Sequence, residues 1–477
     1  MKKFWSKYKA EIIIFGGALV VQLLALIFIL WREGQIGGLF VGYHYPLFPK
    51  DPSEYLKLGQ NVLRFGQFSL SDQSPFLPDS FRTPVYPVFL AGIAQVFGSL
   101  LAVSFIQDVL VALSAVLVYR LGKKFFSGAV GWLAAGLFVF EPTNLFFANT
   151  IATEPLFVFL LWLALYLFLE PAEKALSRWR IFISGLVLGL AALTRPVGQF
   201  LPLLFLLWLF WVWRPIGAKK IILAGLVFLS GFVAVIFPWS LRNKLTFDSW
   251  QISSAGTISV YGYFVPMFLA QKYNQNQDLL SQELWARFDF LDNFEYESRS
   301  LANASEINQT AREFILQDPV GFGKFYFIKT APFFLTDGIR DYARYLKYVD
   351  LPDHNLTDLL LKGKIKEMAR LAFSGNLEFN LFLLGFVLWF LAAVFMAGAV
   401  VWMFFSGHRA RWLGLFFILL TAYFALVSGP VSNSRYRIPV APAMMLLASA
   451  GAIKFLAYLR SKIKKKDYGD NRFSPSA

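Results

Sequence analysis

Five arginines and three carboxylates sit in stretches where an otherwise apolar chain has reason to avoid charge. Arg82 lies in "DSFRTPVYP", Arg195 in "LTRP", Arg242 in "PWSLRN", and Arg435 with Arg437 in "SNSRYRIP", each with a proline nearby. The acids are Asp51 and Glu54 in "KDPSEYLKLGQ" and Glu154 in "ATEPLF". A guanidinium clamps phosphate through paired N–H donors. A carboxylate beside a hydroxyl can take its proton while cations stabilise the charge growing on a phosphate leaving group. These residue types therefore suit displacement of a phosphate by an attacking hydroxyl, provided that they share one cavity, with Tyr55 and Tyr86 placed as lining residues.

Each residue also has an ordinary structural use. Asp51 before Pro52 makes a good helix N-cap with proline at the first helical position, and Glu54 three residues on completes a capping box. Glu154 opens an apolar segment, where an acid favours the helix dipole. Any single arginine can snorkel to lipid headgroups. His44, His354 and His408 show no metal-ligand spacing and are read as loop histidines, although His44 lies close to Asp51 in sequence.

The elements that must position these groups follow from composition. Of 477 residues, 57% are hydrophobic, 18% aromatic and 16% charged, which excludes a soluble globule with a charged surface. The chain reads as an all-α polytopic membrane protein. No cysteine is present, so there is no disulfide framework or thiolate metal site. A crossing helix needs about 20 apolar residues, and about ten segments qualify: 11–31, 101–119, 128–147, 154–170, 181–193, 197–213, 221–239, 379–405, 412–428 and 438–459. This divides the chain into an N-terminal membrane module (1–239), a loop region (240–375), C-terminal helices (376–460) and a tail (461–477), of which "KDYGDNRFSPSA" is expected to be disordered.

Direction follows from the basic residues, which favour cytoplasmic loops. "MKKFWSKYK", "YRLGKK", "EKALSRWR", "RPIGAKK", "GHRAR" and "LRSKIKKK" fall at alternate segment ends, so both termini are expected in the cytoplasm. The net charge of +15 is thereby explained by topology and anionic lipid, with no nucleic-acid partner. The loops 32–83 and 240–375 then face outward, and the arginines above stand on the side where positive charge is sparse. Arg195 follows "IFISGLVLGLAAL", a run that rises only about 20 Å as a helix. Its hairpin tip should lie below the membrane surface, where a guanidinium requires a wet cavity or an anion. From Asp51 the first loop should form an amphipathic helix with Leu56, Val62 and Leu63 on the membrane side and Lys57 and Gln60 in water. Near 323–336 the apolar run holds Lys324 and Lys329, which favours an interfacial helix over a further crossing.

The order of "DPSEYLKLGQ", "FRTPVYPVFLAGI", "ATEPLF", "GLVLGLAALTRP", "FPWSLRN" and "SRYRIPVAPAMM" resembles the bacterial GT-C glycosyltransferases over roughly residues 5–460. These are enzymes dependent on polyprenyl- or dolichyl-phosphate sugars, akin to protein mannosyltransferases and the aminoarabinose transferase of lipid A. The resemblance implies a general base at Asp51, a donor-phosphate contact at Arg82 and a second acid at Glu154. It also implies an inverting attack by an acceptor hydroxyl on the donor sugar as the lipid phosphate leaves. The acceptor could be a lipid, a polysaccharide or a protein, and the setting is the cell membrane. The family often shows adjacent acids in the first loop, whereas Asp51 and Glu54 are separated by two residues, which counts against a shared metal site; some members depend on a divalent cation, so metal is left open. Two other classes compete. A transporter or flippase would show inverted-repeat symmetry, which is not evident. A non-catalytic assembly factor would not need the polar residues at the mouth.

Overall fold

In a computed structural model the protein is described over residues 2–32, 51–169, 177–290, 293–335, 338, 359, 363–375 and 377–470. Among these residues the regular secondary structure is helical, with one isolated bridge between Ser69 and Pro78. The N-terminal half comprises α1 (Lys2–Arg32), α2 (Asp51–Phe65), α3 (Val85–Phe97), α4 (Leu101–Phe125), α5 (Gly128–Val139), α6 (Pro142–Ala148), α7 (Glu154–Phe168), α8 (Arg178–Ala192), α9 (Leu201–Trp213) and α10 (Ala218–Phe247). Smaller helices follow: α11 (Ala255–Ile258), α12 (Val265–Tyr273), α13 (Gln277–Trp285), α14 (Phe294–Glu297), α15 (Ala304–Gln317), α16 (Pro319–Lys329), α17 (Pro332–Leu335) and α18 (Ile365–Phe373). The chain then returns to long helices, α19 (Leu377–Phe404) and α20 (His408–Ser428), a short α21 (Ser434–Arg437), and α22 (Ala441–Asp470).

Among the described residues, seven helical stretches have the length and apolarity to cross a membrane: Lys7–Trp31, Leu101–Phe125, Pro196–Trp213, Ala218–Phe247, Leu383–Phe404, Ala410–Val431 and Ala441–Ile463. An eighth would be the α5–α6 pair, which bends by 59°. The bend has a local cause: Pro142 opens α6, and the Glu141 carboxylate caps it by accepting from the Asn144 backbone N–H at 2.6 Å. Of the ten expected segments, the remaining two are α7 and α8, each 15 residues long. At about 22 Å each they fall short of a 30 Å core. They pack against one another, so the start of α7 and the end of α8 are neighbours at one end of the bundle. This brings Glu154 and Arg195 together.

Close helix packing relies on small residues, as expected where lipid supplies no hydrophobic drive between helices. A Cβ on Gly185 of α8 would lie 2.1 Å from the Phe228 carbonyl oxygen of α10, and one on Gly231 of α10 would lie 2.3 Å from that of Phe182. The large 240–375 region has its own apolar core of Tyr261, Val265, Phe268, Leu284, Ile307 and Phe325. The Tyr261 hydroxyl in "VYGYF" donates to the Leu284 carbonyl at 2.6 Å, which commits this aromatic to the loop's interior. At 11 residues, α16 is too short to cross. Its Tyr326 hydroxyl donates to the Leu426 carbonyl, tying the loop region to the end of α20.

Helix α2 packs on α3 and buries Glu54, Leu58 and Asn61, leaving Leu63 exposed. One expectation needs correction. The last helix runs to Asp470, into the stretch expected to be a disordered tail.

Candidate functional site

Two clusters, each built on one glutamate, hold most of the charged residues singled out in the sequence. The first gathers on α2. Glu54 Oε2 accepts from Arg82 Nε at 3.1 Å and Nη2 at 2.9 Å, and from Arg299 Nη2 at 2.8 Å. Glu54 Oε1 accepts from Arg299 Nη1 at 3.0 Å. Both guanidiniums cover the Phe81 ring, at 4.7 and 4.2 Å. Glu54 is therefore a two-arginine anchor, not the capping-box partner that its spacing suggested. Burial alone would raise its pKa, but the hydrogen bonds and charges of Arg299 and Arg82 outweigh this and bring it below the usual carboxylate value.

Local backbone geometry aims Arg82. Asp79 Oδ1 accepts from the backbone N–H of Phe81 at 3.1 Å and of Arg82 at 2.9 Å, which fixes the turn before "TPVYP". Burial raises the Asp79 pKa, against the hydrogen bond from Arg82 and the nearby guanidiniums. Arg82 Nη1 also donates to the Tyr55 hydroxyl at 3.0 Å, and Tyr55 meets Tyr86 edge-on at 5.1 Å. The Tyr86 hydroxyl donates to Gln107 Oε1 at 2.9 Å, and Gln107 Nε2 donates to the carbonyls of Ala148 and Thr150. Helices α2 and α3 can approach closely because a Cβ on Gly59 would sit only 2.1 Å from the Pro87 carbonyl oxygen.

The second cluster lies where the short helices end. Glu154, 1% exposed, pairs through Oε1 with both Arg195 and Arg435. Arg195 Nη1 donates to the Thr153 hydroxyl at 3.0 Å, and Arg435 covers the Phe147 ring at 4.7 Å. Asn433 Oδ1 accepts from the Arg435 backbone N–H at 2.9 Å and caps α21. With two guanidiniums to one carboxylate, this cluster keeps one surplus positive charge. Tyr55 lies close enough to Arg435 to interact with it electrostatically, so the two clusters are neighbours across Tyr55.

The other two candidate arginines are turned elsewhere. Arg242 Nη1 donates to the Asp79 carbonyl and to Asn243 Oδ1, both at 2.8 Å, beneath Trp239 and Phe247. Arg437, 1% exposed, donates to the Phe333 carbonyl at 2.8 Å and stacks on Trp389 at 3.7 Å. It pins α21 to α17 and α19, although it stands only two residues from Arg435.

Asp51 opens α2 as expected, but its side chain lies outside the described residues, as do His44 and His354 and the side chain of His408. Among the described residues no three His, Cys, Asp or Glu side chains gather as a metal site. Glu54 has both oxygens engaged by arginine. Sequence reasoning missed Arg299. Against the expectation of sparse positive charge on that side, the 240–375 loop carries many basic residues, so an arginine there gave no signal.

Residues 81–239 match the family described as dolichyl-phosphate-mannose-protein mannosyltransferase. No curated protein sequence matches significantly. Among solved structures, the Archaeoglobus fulgidus oligosaccharyltransferase in its apo form aligns over 99% of this chain and 53% of its own, with 15% identity and a TM-score of 0.53. The same organism's oligosaccharyltransferase AglB, in complex with an inhibitory peptide and a dolichol-phosphate, aligns over the same shares with 14% identity and a TM-score of 0.50. ArnT from Cupriavidus metallidurans, bound to undecaprenyl phosphate, aligns over 93% of this chain and 78% of its own, with 14% identity and a TM-score of 0.41. The chain thus spans about half the length of the oligosaccharyltransferase whose fold it shares. Residues 81–239 are thus similar to that mannosyltransferase family, and the fold as a whole is similar to that of the oligosaccharyltransferase.

Proposed function

We propose that the chain transfers a sugar from a polyprenyl-phosphate donor to an acceptor hydroxyl on the extracytoplasmic face of the cell membrane, with both termini in the cytoplasm. The observation that carries this is Glu154 with Arg195 and Arg435: a buried carboxylate holding two guanidiniums at the ends of helices too short to span. A cationic surplus at that depth suits the phosphate of a lipid whose tail lies in the adjacent apolar bundle. The dolichol-phosphate bound to the structurally similar oligosaccharyltransferase supports a donor of that class.

In this reading Arg195 and Arg435 hold the phosphate, and Glu154 positions them and is not the base. Arg82 holds Tyr55 and Glu54 between donor and acceptor, while Arg242 and Arg437 brace the frame. Asp51 serves as the base; its place one helical turn before Glu54 and Tyr55 puts its backbone at the same wall. The acceptor oxygen gives its proton to the Asp51 carboxylate and forms a bond to the anomeric carbon with inversion. The bond from that carbon to the phosphate oxygen breaks, and its electron pair leaves with the lipid phosphate, stabilised by the guanidiniums.

Binding of undecaprenyl phosphate by the purified protein in lipid tests the assignment. Each charge-assisted contact is worth about 1.5–3 kcal/mol, so Arg195→Ala and Arg435→Ala should each lose roughly ten- to hundredfold in affinity. Lysine at either position should restore part of it. Unchanged affinity in both alanine variants would refute the phosphate site.

A further inference from the structure

Beside the Glu54–Arg299 pair opens a cavity of about 620 Å3, within the range of small-ligand sites. Its walls come from α2, the segment around 70–80 and the segment 293–300, and its lining includes neither Arg195, Arg435 nor Glu154. Its chemistry is the opposite of the phosphate cluster's. Four acids line it, Glu54, Asp72, Asp79 and Glu295, against two cations, Lys57 and Arg299, with Arg82 as a third cation paired to Glu54. Both lining cations are already held by acids of the same wall: Lys57 by Asp72, and Arg299 by Glu54 and, at 3.5 Å, by Glu295. Hydroxyls of Ser53, Ser71, Ser80, Ser300 and Tyr296 supply donors and acceptors around the space. Leu70 and Leu77 add apolar side chains.

Such a wall hydrogen-bonds hydroxyl groups and, with acids in excess, disfavours anions. We propose that this cavity seats the acceptor, and that the acceptor is a neutral or cationic carbohydrate. The proposal rests on the transfer reaction above and adds the acceptor's class to it. Donor and acceptor would then be sorted by charge on either side of Tyr55. An anionic lipid phosphate is drawn to Arg195 and Arg435, and an uncharged polyol is admitted beside Glu54 where anionic headgroups and acidic polymers are turned away.

The test measures binding of three tetrasaccharide probes to the protein in lipid nanodiscs at low salt: neutral cellotetraose, cationic chitosan tetramer and anionic tetragalacturonate. The neutral and cationic probes should bind at least tenfold more tightly than the anionic one, and the gap should shrink at high salt. Asp72 and Glu295 have largely exposed side chains, 87% and 63%, so the double variant Asp72→Lys, Glu295→Lys should fold normally. In that variant the order should reverse, with the anionic probe gaining at least tenfold. Equal binding of the three, preference for the anionic probe by the unmodified protein, or binding of none would overturn the proposal. Undecaprenyl phosphate binding in the same samples separates the two readings. If it is lost from Arg195→Ala while the oligosaccharide order fails, only the acceptor assignment falls; if it never depends on Arg195, the donor assignment falls.

Discussion

Arg299→Ala removes one of the residues that tie the large loop to the first one, and its cost can be worked from the geometry. The guanidinium donates to both Glu54 oxygens, at 3.0 and 2.8 Å, and lies 4.2 Å from the centre of the Phe81 ring. The two side chains are only 16% and 10% exposed, so the small value of an exposed ion pair does not apply. Stranding a buried charge costs about 3–5 kcal/mol. Glu54 is not stranded, because Arg82 still holds it at 2.9 and 3.1 Å, which lowers the expected cost to about 2–3 kcal/mol. That cost falls on local opening of the 293–300 segment, whose other ties include Leu301 N–H to Ser80 Oγ at 2.9 Å and the Ser254 hydroxyl to the Arg299 carbonyl. At 1.4 kcal/mol per tenfold, amides around 299–301 should exchange with solvent about thirty- to a hundredfold faster. Turnover should fall while undecaprenyl phosphate affinity stays unchanged, because Arg195 and Arg435 are untouched. Arg299→Lys should recover part of the protection, since the charge remains but the fork is lost. Exchange within threefold of the unmodified protein would refute the claim that Arg299 holds the loop.

Arg437→Ala should act on folding and not on donor recognition. It leaves the Phe333 carbonyl without its donor and a void against Trp389, and a loss of about 3 kcal/mol should appear as a lower melting temperature, with undecaprenyl phosphate affinity per folded molecule unchanged. The Glu54 anchor should be pH-dependent. Its folded-state pKa is depressed, so its contribution is complete above the ordinary value of 4.5 and is lost as pH falls through the lower folded value. Asp79 works in the opposite direction, its raised folded pKa removing stability as pH climbs from 3.8, so acid titration of Glu54→Gln against the unmodified protein should isolate the glutamate. Topology can be read with thiol labels on this cysteine-free chain. Gln73→Cys, in an exposed part of the first loop, and Ser461→Cys should react from opposite sides of intact cells, and labelling of both from outside would contradict the orientation.

Much of this was legible in the sequence because charge in an apolar chain has few explanations. Arg195 and Glu154 drew notice through their depth, and the structure gives that depth a cause in two helices of 15 residues lying side by side. Their pairing was not legible, since an acid at a helix start reads equally well as a dipole partner. Glu54 shows the same ambiguity in reverse: its spacing from Asp51 announced a capping box, but long-range arginines outcompete a backbone N–H for a buried carboxylate. Nothing local separates Arg435 from Arg437. Which one faces Glu154 is set by the turn that Asn433 caps, and that turn depends on packing against α17 and α20. Arg299 was invisible for a related reason, because its importance comes from contact with residues about 245 positions away.

The central claim is that a polyprenyl-phosphate sugar, and not a nucleotide sugar, is the donor. The most direct measurement is release or transfer of radiolabelled sugar by the purified protein in lipid, with the two donor types offered in parallel to the unmodified chain and to Arg435→Ala. The account predicts turnover with the polyprenyl-phosphate sugar alone, reduced at least tenfold by the substitution. Turnover with the nucleotide sugar alone, or turnover with the lipid donor indifferent to Arg435, would contradict it.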